Sequence, residues 1–323
     1  MYKIWLGFVL VFSVVISAQE VLPSWNEGSV KKDIVSYVTG VIEKKGENFI
    51  PPEDRIAVFD NDGTLWSEQP AYFQFFFAMD RVKMLAPQHP EWRYTEPFKS
   101  VLANDINGVL KSGKKGLLQI VGATHAGMNA EQFGEIVKQW LKTAKHPTKH
   151  RRYTELVFQP MMELIRYLQE NDFKVFIVSG GGIDFMRAFI PEIYGVPSER
   201  IIGSTGKVHF KDGQIIKDAK INFIDDKETK PVAIYYQIGK RPVAAFGNSD
   251  GDLEMLQYTD ANRKYNTLKL YVHHTDAKRE WAYDRRSDIG RFDKGLDYAR
   301  RYHWEIVDMK KDWKVIYPFE LTK

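Results

Sequence analysis

The run Arg55-Ile-Ala-Val-Phe-Asp60-Asn61-Asp62-Gly63-Thr64-Leu65-Trp66 decides how this chain is read. Ile56 to Phe59 form an apolar strand that ends in two aspartates spaced by one residue, followed by a Gly-Thr turn. Residues i and i+2 of a strand point to the same side, so both carboxylates can face one small site as the strand unwinds. One acid can then serve as nucleophile and the other as proton carrier. The same pair makes a hard oxygen site for Mg2+. Taken alone, the segment is also compatible with a strand followed by a plain Asp-Gly turn.

Three further pieces follow in order. Phe173-Lys-Val-Phe-Ile-Val-Ser179-Gly180-Gly181-Gly182 is a second buried-type strand, ending in a hydroxyl and glycines. Lys230-Pro231 opens a helix, with Pro suited to a first turn. Pro242-Val-Ala-Ala-Phe-Gly247-Asn248-Ser249-Asp250-Gly251-Asp252-Leu-Glu-Met-Leu256 is a third strand, running into an acidic loop. Together these motifs resemble a phosphatase of the haloacid dehalogenase superfamily, nearest to its phosphoserine-phosphatase-like branch. The likeness spans about Ile56 to Leu256, and its first motif is the most specific.

The resemblance implies a role for each residue. Asp60 is the expected nucleophile, splitting phosphate-ester hydrolysis into two steps through an aspartyl phosphate. Asp62 is the expected general acid and base; this second aspartate separates phosphatases from true dehalogenases. Gly63 and Thr64, with Asn61, are expected to offer N–H groups to the phosphoryl group. Ser179 and Gly180 are expected to hold a phosphate oxygen. A lysine should neutralise the carboxylate–phosphate pair, and Lys230, which opens a helix, fits better than Lys227. The expected cofactor is Mg2+, held by Asp60, the carbonyl of Asp62, and Asn248 or Asp250. The acidic loop departs from the branch pattern here: aligned on Leu253 to Leu256, Asn248 stands where an aspartate is expected, Asp252 matches the last aspartate, and Asp250 is extra.

Other patterns carry less. Gly180 to Gly182 fails the spacing of a dinucleotide fingerprint, and Gly203-Ser-Thr-Gly206-Lys207-Val208 fails that of a phosphate-binding P-loop. His125, His273 and His274 lack metal-ligand spacing and read as surface or packing residues. Glu68 could read an amine on a substrate. The crowd from Phe73 to Phe77 reads as core rather than pocket lining. Two alternatives stay open: a phosphotransferase or phosphonate-cleaving relative, for which Lys114 and Lys115 are the suggestive pair, and a weakly catalytic phospho-ligand binding protein, motivated by Asn248.

Length and composition agree with an ordinary globular protein. The 323 residues are 44% hydrophobic and 27% charged, with a net charge of +4. The charges are scattered, so no nucleic-acid stripe forms and no nucleic-acid partner is expected; a mild positive balance suits a small phosphomonoester substrate. Cysteine is absent, which excludes disulfides and thiolate chemistry.

Strand–helix alternation after Arg152 predicts an α/β fold. It is a Rossmann-like three-layer sandwich with a mostly parallel sheet, plus an inserted helical cap domain. The expected boundaries are 1–18 for a signal peptide, 19–66 and 153–323 for the core, and 67–152 for the cap. The hairpin region Ile201 to Phe223, with a turn at Lys211-Asp212-Gly213, falls in the core on this division, and Arg279 to Lys323 is expected to pack on it.

At the N-terminus, Lys3 precedes an apolar stretch from Ile4 to Ala18. It is short for a membrane span, which needs about 20 residues, and Ile-Ser-Ala18 before Gln19-Glu20 suits leader cleavage. The expected location is periplasmic or secreted, with no stable membrane insertion after cleavage. N-terminal sequencing of the exported protein should find Gln19 or a near neighbour first; an intact Met1 would contradict the leader.

Overall fold

The structure is a computed structural model that describes residues 20–321. The apolar stretch Ile4 to Ala18 and its expected cleavage point lie outside the described residues.

Seven strands form the sheet: β1 (Ile56–Phe59), β2 (Lys174–Gly182), β3 (Ile201–Lys211), β4 (Gln214–Phe223), β5 (Ala244–Gly247), β6 (Leu268–His273) and β7 (Glu305–Asp308). Their order is β4-β3-β2-β1-β5-β6-β7. β3 and β4 pair antiparallel, and the other neighbouring pairs are parallel. This is the expected α/β Rossmann-like sheet. β1 sits at its centre and is buried on both faces: Ala57 and Phe59 join one apolar cluster, Ile56 and Val58 the other. That division follows from side chains alternating across a strand. At its end Phe59 stacks on Phe246 of β5, ring centroids 4.1 Å apart, next to the loops that follow the two strands.

Between β1 and β2 the chain is helical, with helices Phe73–Leu85, Phe98–Leu102, Ile106–Lys111, Gly113–His125 and Ala130–Thr143. Phe73, Phe76 and Phe77 are buried, so the phenylalanine crowd is mainly core. Phe77 meets Phe133 and Trp140 edge-on. Ala78, Met79 and Val82 build a small separate core with Trp92, Val101, Val109 and Ile120.

The β3–β4 hairpin turns at Asp212 and Gly213, both with positive φ, as a two-residue hairpin loop requires. It does more than extend the sheet. Gly127 N–H donates to the Lys217 carbonyl at 2.9 Å, and Lys217 N–H donates to the Met128 carbonyl at 3.0 Å. The outer hairpin therefore packs with the inserted helices.

Two local expectations shift. The first helix of the alternation after Arg152 begins only at Gln159, with Pro160 in its first turn, because Val157 first bridges to Trp66. β7 was not anticipated: Glu305-Ile-Val-Asp308 is four residues long and half polar, too short to show a period.

Candidate active site

β1, β2 and β5 are neighbours in the sheet, so their C-terminal ends bring the two-aspartate loop, the Ser-Gly turn and the acidic loop together. Lys230 joins them from the first turn of helix Thr229–Ile238. Its ammonium donates to Asp60 Oδ1 at 2.7 Å, Asp252 Oδ1 at 2.6 Å and the Val178 carbonyl at 3.0 Å. All three ammonium hydrogens are thus directed, in a lysine that is 2% exposed. Lys227 is exposed and makes no such bridge.

Asp252 also organises its own loop. Its Oδ2 accepts from the N–H groups of Asn248 and Ser249, both at 3.0 Å. Burial pulls the Lys230 ammonium down, but the carboxylates of Asp252 and Asp60 outweigh it and hold the lysine above its ordinary range. Burial likewise pushes Asp60 well above the usual carboxylate range; the Asp252 charge adds to the push and Lys230 opposes it.

Asp62 is held by Trp66, whose indole N–H donates to Oδ1 at 2.8 Å. Burial raises this carboxyl to about 6, while the indole hydrogen bond works the other way by stabilising the ionised form.

The remaining expected residues divide. Asn248 is buried; its Oδ1 lies 3.2 Å from Thr64 Oγ1, which is itself 3.3 Å from Asp60 Oδ2. Asp250 is turned away: its Oδ1 accepts from the N–H groups of Asp293 and Gly295, at 2.9 and 2.8 Å. Of the two expected alternatives, Asn248 thus lies beside Thr64 and Asp60, whereas Asp250 caps a remote backbone turn. Gly63 and Thr64 are not placed as an anion nest. Gly63 N–H donates to the Trp66 carbonyl at 2.8 Å and Thr64 N–H to the Asn61 carbonyl at 3.2 Å, so the turn consumes both donors. Ser179 is buried, and its Oγ accepts the Gly181 N–H at 3.1 Å. Gly180 lines the central cavity, as do Asp60, Asp62 and Lys230.

That cavity measures about 710 Å³. Its far wall is mostly apolar, including Phe75, Leu117, Ile120, Phe133 and Phe185. Among the polar side chains that interrupt the wall, three lie together. Lys217 from β4 pairs with Asp184 and lies over the Phe133 ring. His125 is buried beside them, its imidazole held down at about 3 by burial and by the Lys217 charge.

Sequence reasoning missed several contributors. Asp225 is fully buried, neither carboxylate oxygen has a hydrogen-bond partner among the described residues, and burial raises it to about 7, with Lys230 opposing. The C-terminal segment was expected only to pack, but it reaches the site. Tyr283 donates to Glu68 at 2.8 Å. His274, expected as a surface or packing residue, is buried and sets Nε2 against the Gly63 carbonyl at 2.8 Å and Nδ1 against Glu280 at 3.0 Å. The acidic pair Asp225-Asp226 ahead of Lys230 was a readable signal. The contacts of Tyr283 and His274 had none, since they depend on a loop returning across the sheet ends.

Among the described residues, no group of three or more His, Cys, Asp or Glu side chains is spaced to hold a metal ion. The oxygens gathered at Asp60 are of mixed kind, carboxylate, amide and hydroxyl.

The sequence model described as haloacid dehalogenase-like hydrolase matches residues 57–257. The chain belongs to that family. No curated protein matches it. Among solved structures, it is similar to a conserved functionally unknown protein from Anaerococcus prevotii DSM 20548, at 17% identity over 80% of this chain and 89% of that one, with a TM-score of 0.49. It is similar to a protein with unknown function from Bordetella pertussis Tohama I, at 15% identity over 79% and 98%, TM-score 0.49. It is also similar to a phosphoserine phosphohydrolase-like protein from Francisella tularensis subsp. tularensis SCHU S4, at 15% identity over 68% and 87%, TM-score 0.37. The family assignment rests on the sequence match. In this haloacid dehalogenase-like hydrolase the matched span runs from β1 into the helix that follows the acidic loop, and so contains Asp60, Asp62, Lys230 and Asp252.

Removing the shared cation should be costly. Lys230→Met leaves two buried carboxylates without their counter-charge, and breaking a buried pair this way costs about 3–5 kcal/mol. Urea denaturation at pH 7 should show that loss. Asp60 already has a raised folded-state pKa, so it gains a proton in the folded variant before the unfolded chain does. Part of the lost stability should therefore return as pH falls. A variant as stable as the parent at pH 7 would show that the ammonium does not offset the buried charges.

Proposed function

We propose that this chain is an Mg2+-dependent phosphomonoester hydrolase of the phosphoserine-phosphatase-like kind, working through an aspartyl phosphate. The observation that carries this reading is the Lys230 bridge. One ammonium pins Asp60 beside Asp252 at the end of the central strand, and Asp62 stands two residues away with its proton affinity raised to about 6.

In the first step an Asp60 carboxylate oxygen bonds to phosphorus and the ester P–O bond breaks. Asp62 gives its proton to the leaving oxygen. In the second step the ionised Asp62 takes a proton from water, whose oxygen bonds to phosphorus. Inorganic phosphate leaves and Asp60 is restored. Lys230 offsets charge on Asp60 throughout, and Gly180 lies where the phosphoryl group would enter the cavity.

The donor set fits Mg2+. Asp60 Oδ2 and Asn248 Oδ1 are neighbours of one hydroxyl, and Mg2+ prefers oxygen ligands and retains waters, so few protein groups are needed. Asp60, the Asp62 carbonyl and Asn248 would hold it. When bound, the ion would offset negative charge on the phosphoryl oxygens. The charge balance points the same way: the carboxylates of Asp60 and Asp252 share a single ammonium.

The helices from Phe73 to Thr143, with the β3–β4 hairpin, would act as the cap. Their cavity wall supports a small phosphomonoester with an apolar portion in its leaving group. The leader makes the enzyme an exported one, periplasmic or secreted.

Two variants test the chemistry with an aryl or alkyl phosphate. Asp60→Asn removes the nucleophile, since an amide does not attack phosphorus. Mg2+-dependent turnover should fall to background while the circular dichroism spectrum is kept; parent-like turnover would rule out the mechanism.

Trp66→Phe acts on the acid. The indole hydrogen bond favours ionised Asp62, so its loss raises the pKa above about 6. A general acid works only while protonated. The high-pH limb of kcat/KM for an alkyl phosphate should therefore move upward in the variant. An unmoved limb would detach Asp62 from proton transfer.

A further inference from the structure

Glu68 is buried, and no cation among the described residues touches it. Its Oε1 accepts from Asn248 Nδ2 at 2.7 Å and from Tyr283 Oη at 2.8 Å. Burial pushes this carboxyl well above its usual range, while the Tyr283 and Asn248 hydrogen bonds favour the ionised form; once ionised it only accepts, so Asn248 turns its nitrogen toward Glu68 and its oxygen toward Thr64, which lies beside Asp60. Two glycines close on this pair from opposite parts of the chain. A Cβ on Gly63 would stand 2.0 Å from Asn248 Nδ2 and 2.3 Å from Glu68 Oε1, and one on Gly290 would stand 1.9 Å from the same oxygen. Both glycines have positive φ. The pair is therefore built in from two sides.

We infer that Glu68 and Asn248 act as one split ligand: Asn248 supplies the oxygen that faces the cation, and Glu68 supplies from behind it the negative charge that an amide lacks. The inference rests on the Mg2+ reading above. It makes Glu68 a positioning residue, acting through Asn248, and assigns the C-terminal segment, through Tyr283 and Gly290, the task of holding that carboxylate in place. Polar partners one step behind a metal ligand orient it and raise its donor strength. The arrangement also accounts for an amide standing where the related pattern has an aspartate: with Glu68 at 2.7 Å, a second carboxylate there would meet like charge.

Calorimetric titration of the purified chain with Mg2+ alone tests this. Glu68→Gln keeps the shape and an acceptor oxygen but removes the charge, so the Kd for Mg2+ should rise about 10- to 100-fold. Asn248→Asp alone should not tighten binding, because it sets two carboxylates against each other. The double variant Glu68→Gln/Asn248→Asp moves the charge one position inward, with the new amide donating to the new carboxylate. Its Kd should return to within about threefold of the parent, a coupling between the two sites that simple packing would not produce. Should Glu68→Gln fold poorly, the comparison of Asn248→Asp with the double variant still decides the matter, with the double variant expected to bind more tightly.

Three results count against the proposal. An unchanged Kd in Glu68→Gln, or a double variant that binds no better than either single one, overturns the split ligand while leaving the Mg2+ reading in place. A parent chain that takes up no Mg2+ overturns both.

Discussion

One lysine holds the centre of this structure in register. Lys230 is buried with two carboxylates and a carbonyl on its ammonium, and each partner comes from a different strand end. Asp60 follows β1, Val178 lies in β2, and Asp252 follows β5. A buried ammonium tolerates no vacancy among its donors, so the three strand ends must keep their relative positions for the helix that opens near Lys230 to stay docked. The carboxylates are equally constrained. Burial, with the Asp252 charge adding to it, explains why Asp60 is pushed up rather than down in spite of its short contact with Lys230. A site in this condition favours a proton or an added cation.

The rest of the molecule encloses that centre from two directions. The inserted helices and the β3–β4 hairpin meet through Gly127, Met128 and Lys217 and form the apolar far wall. The segment after β6 comes from the other side: His274 braces the Gly63 carbonyl, and Tyr283 and Gly290 close on Glu68. Glycine at position 63 serves two ends at once. Its positive φ makes the turn after the aspartates, and its missing Cβ leaves room for the Glu68–Asn248 contact.

Much of this was legible before any coordinates. The apolar runs at Ile56–Phe59 and Lys174–Val178 and the acidic loop after Phe246 each pointed to a strand end, and parallel α/β sheets bring strand ends together. The choice of Lys230 over Lys227 was also readable, because Lys230-Pro231 opens a helix. Other readings failed for local reasons. The N–H groups of Gly63 and Thr64 looked available until the turn itself took them up. Asp250 looked like a second chance for the metal until its carboxylate was found capping Asp293 and Gly295. β7 is too short and too polar to announce itself.

The sequence by itself determined the sheet, the order of its motifs and the identity of the two aspartates, because these depend on period, apolar runs and spacing within a few residues of each other. The tertiary structure alone decided that the Asn248 amide turns its oxygen to Thr64 and its nitrogen to Glu68, that Glu68 is a buried acid, and how the C-terminal segment takes part. Those contacts join residues 180 and 215 positions apart. A hydrogen bond at 2.7 Å is settled by where two chains finally pass each other, and no local pattern of residue types records that meeting.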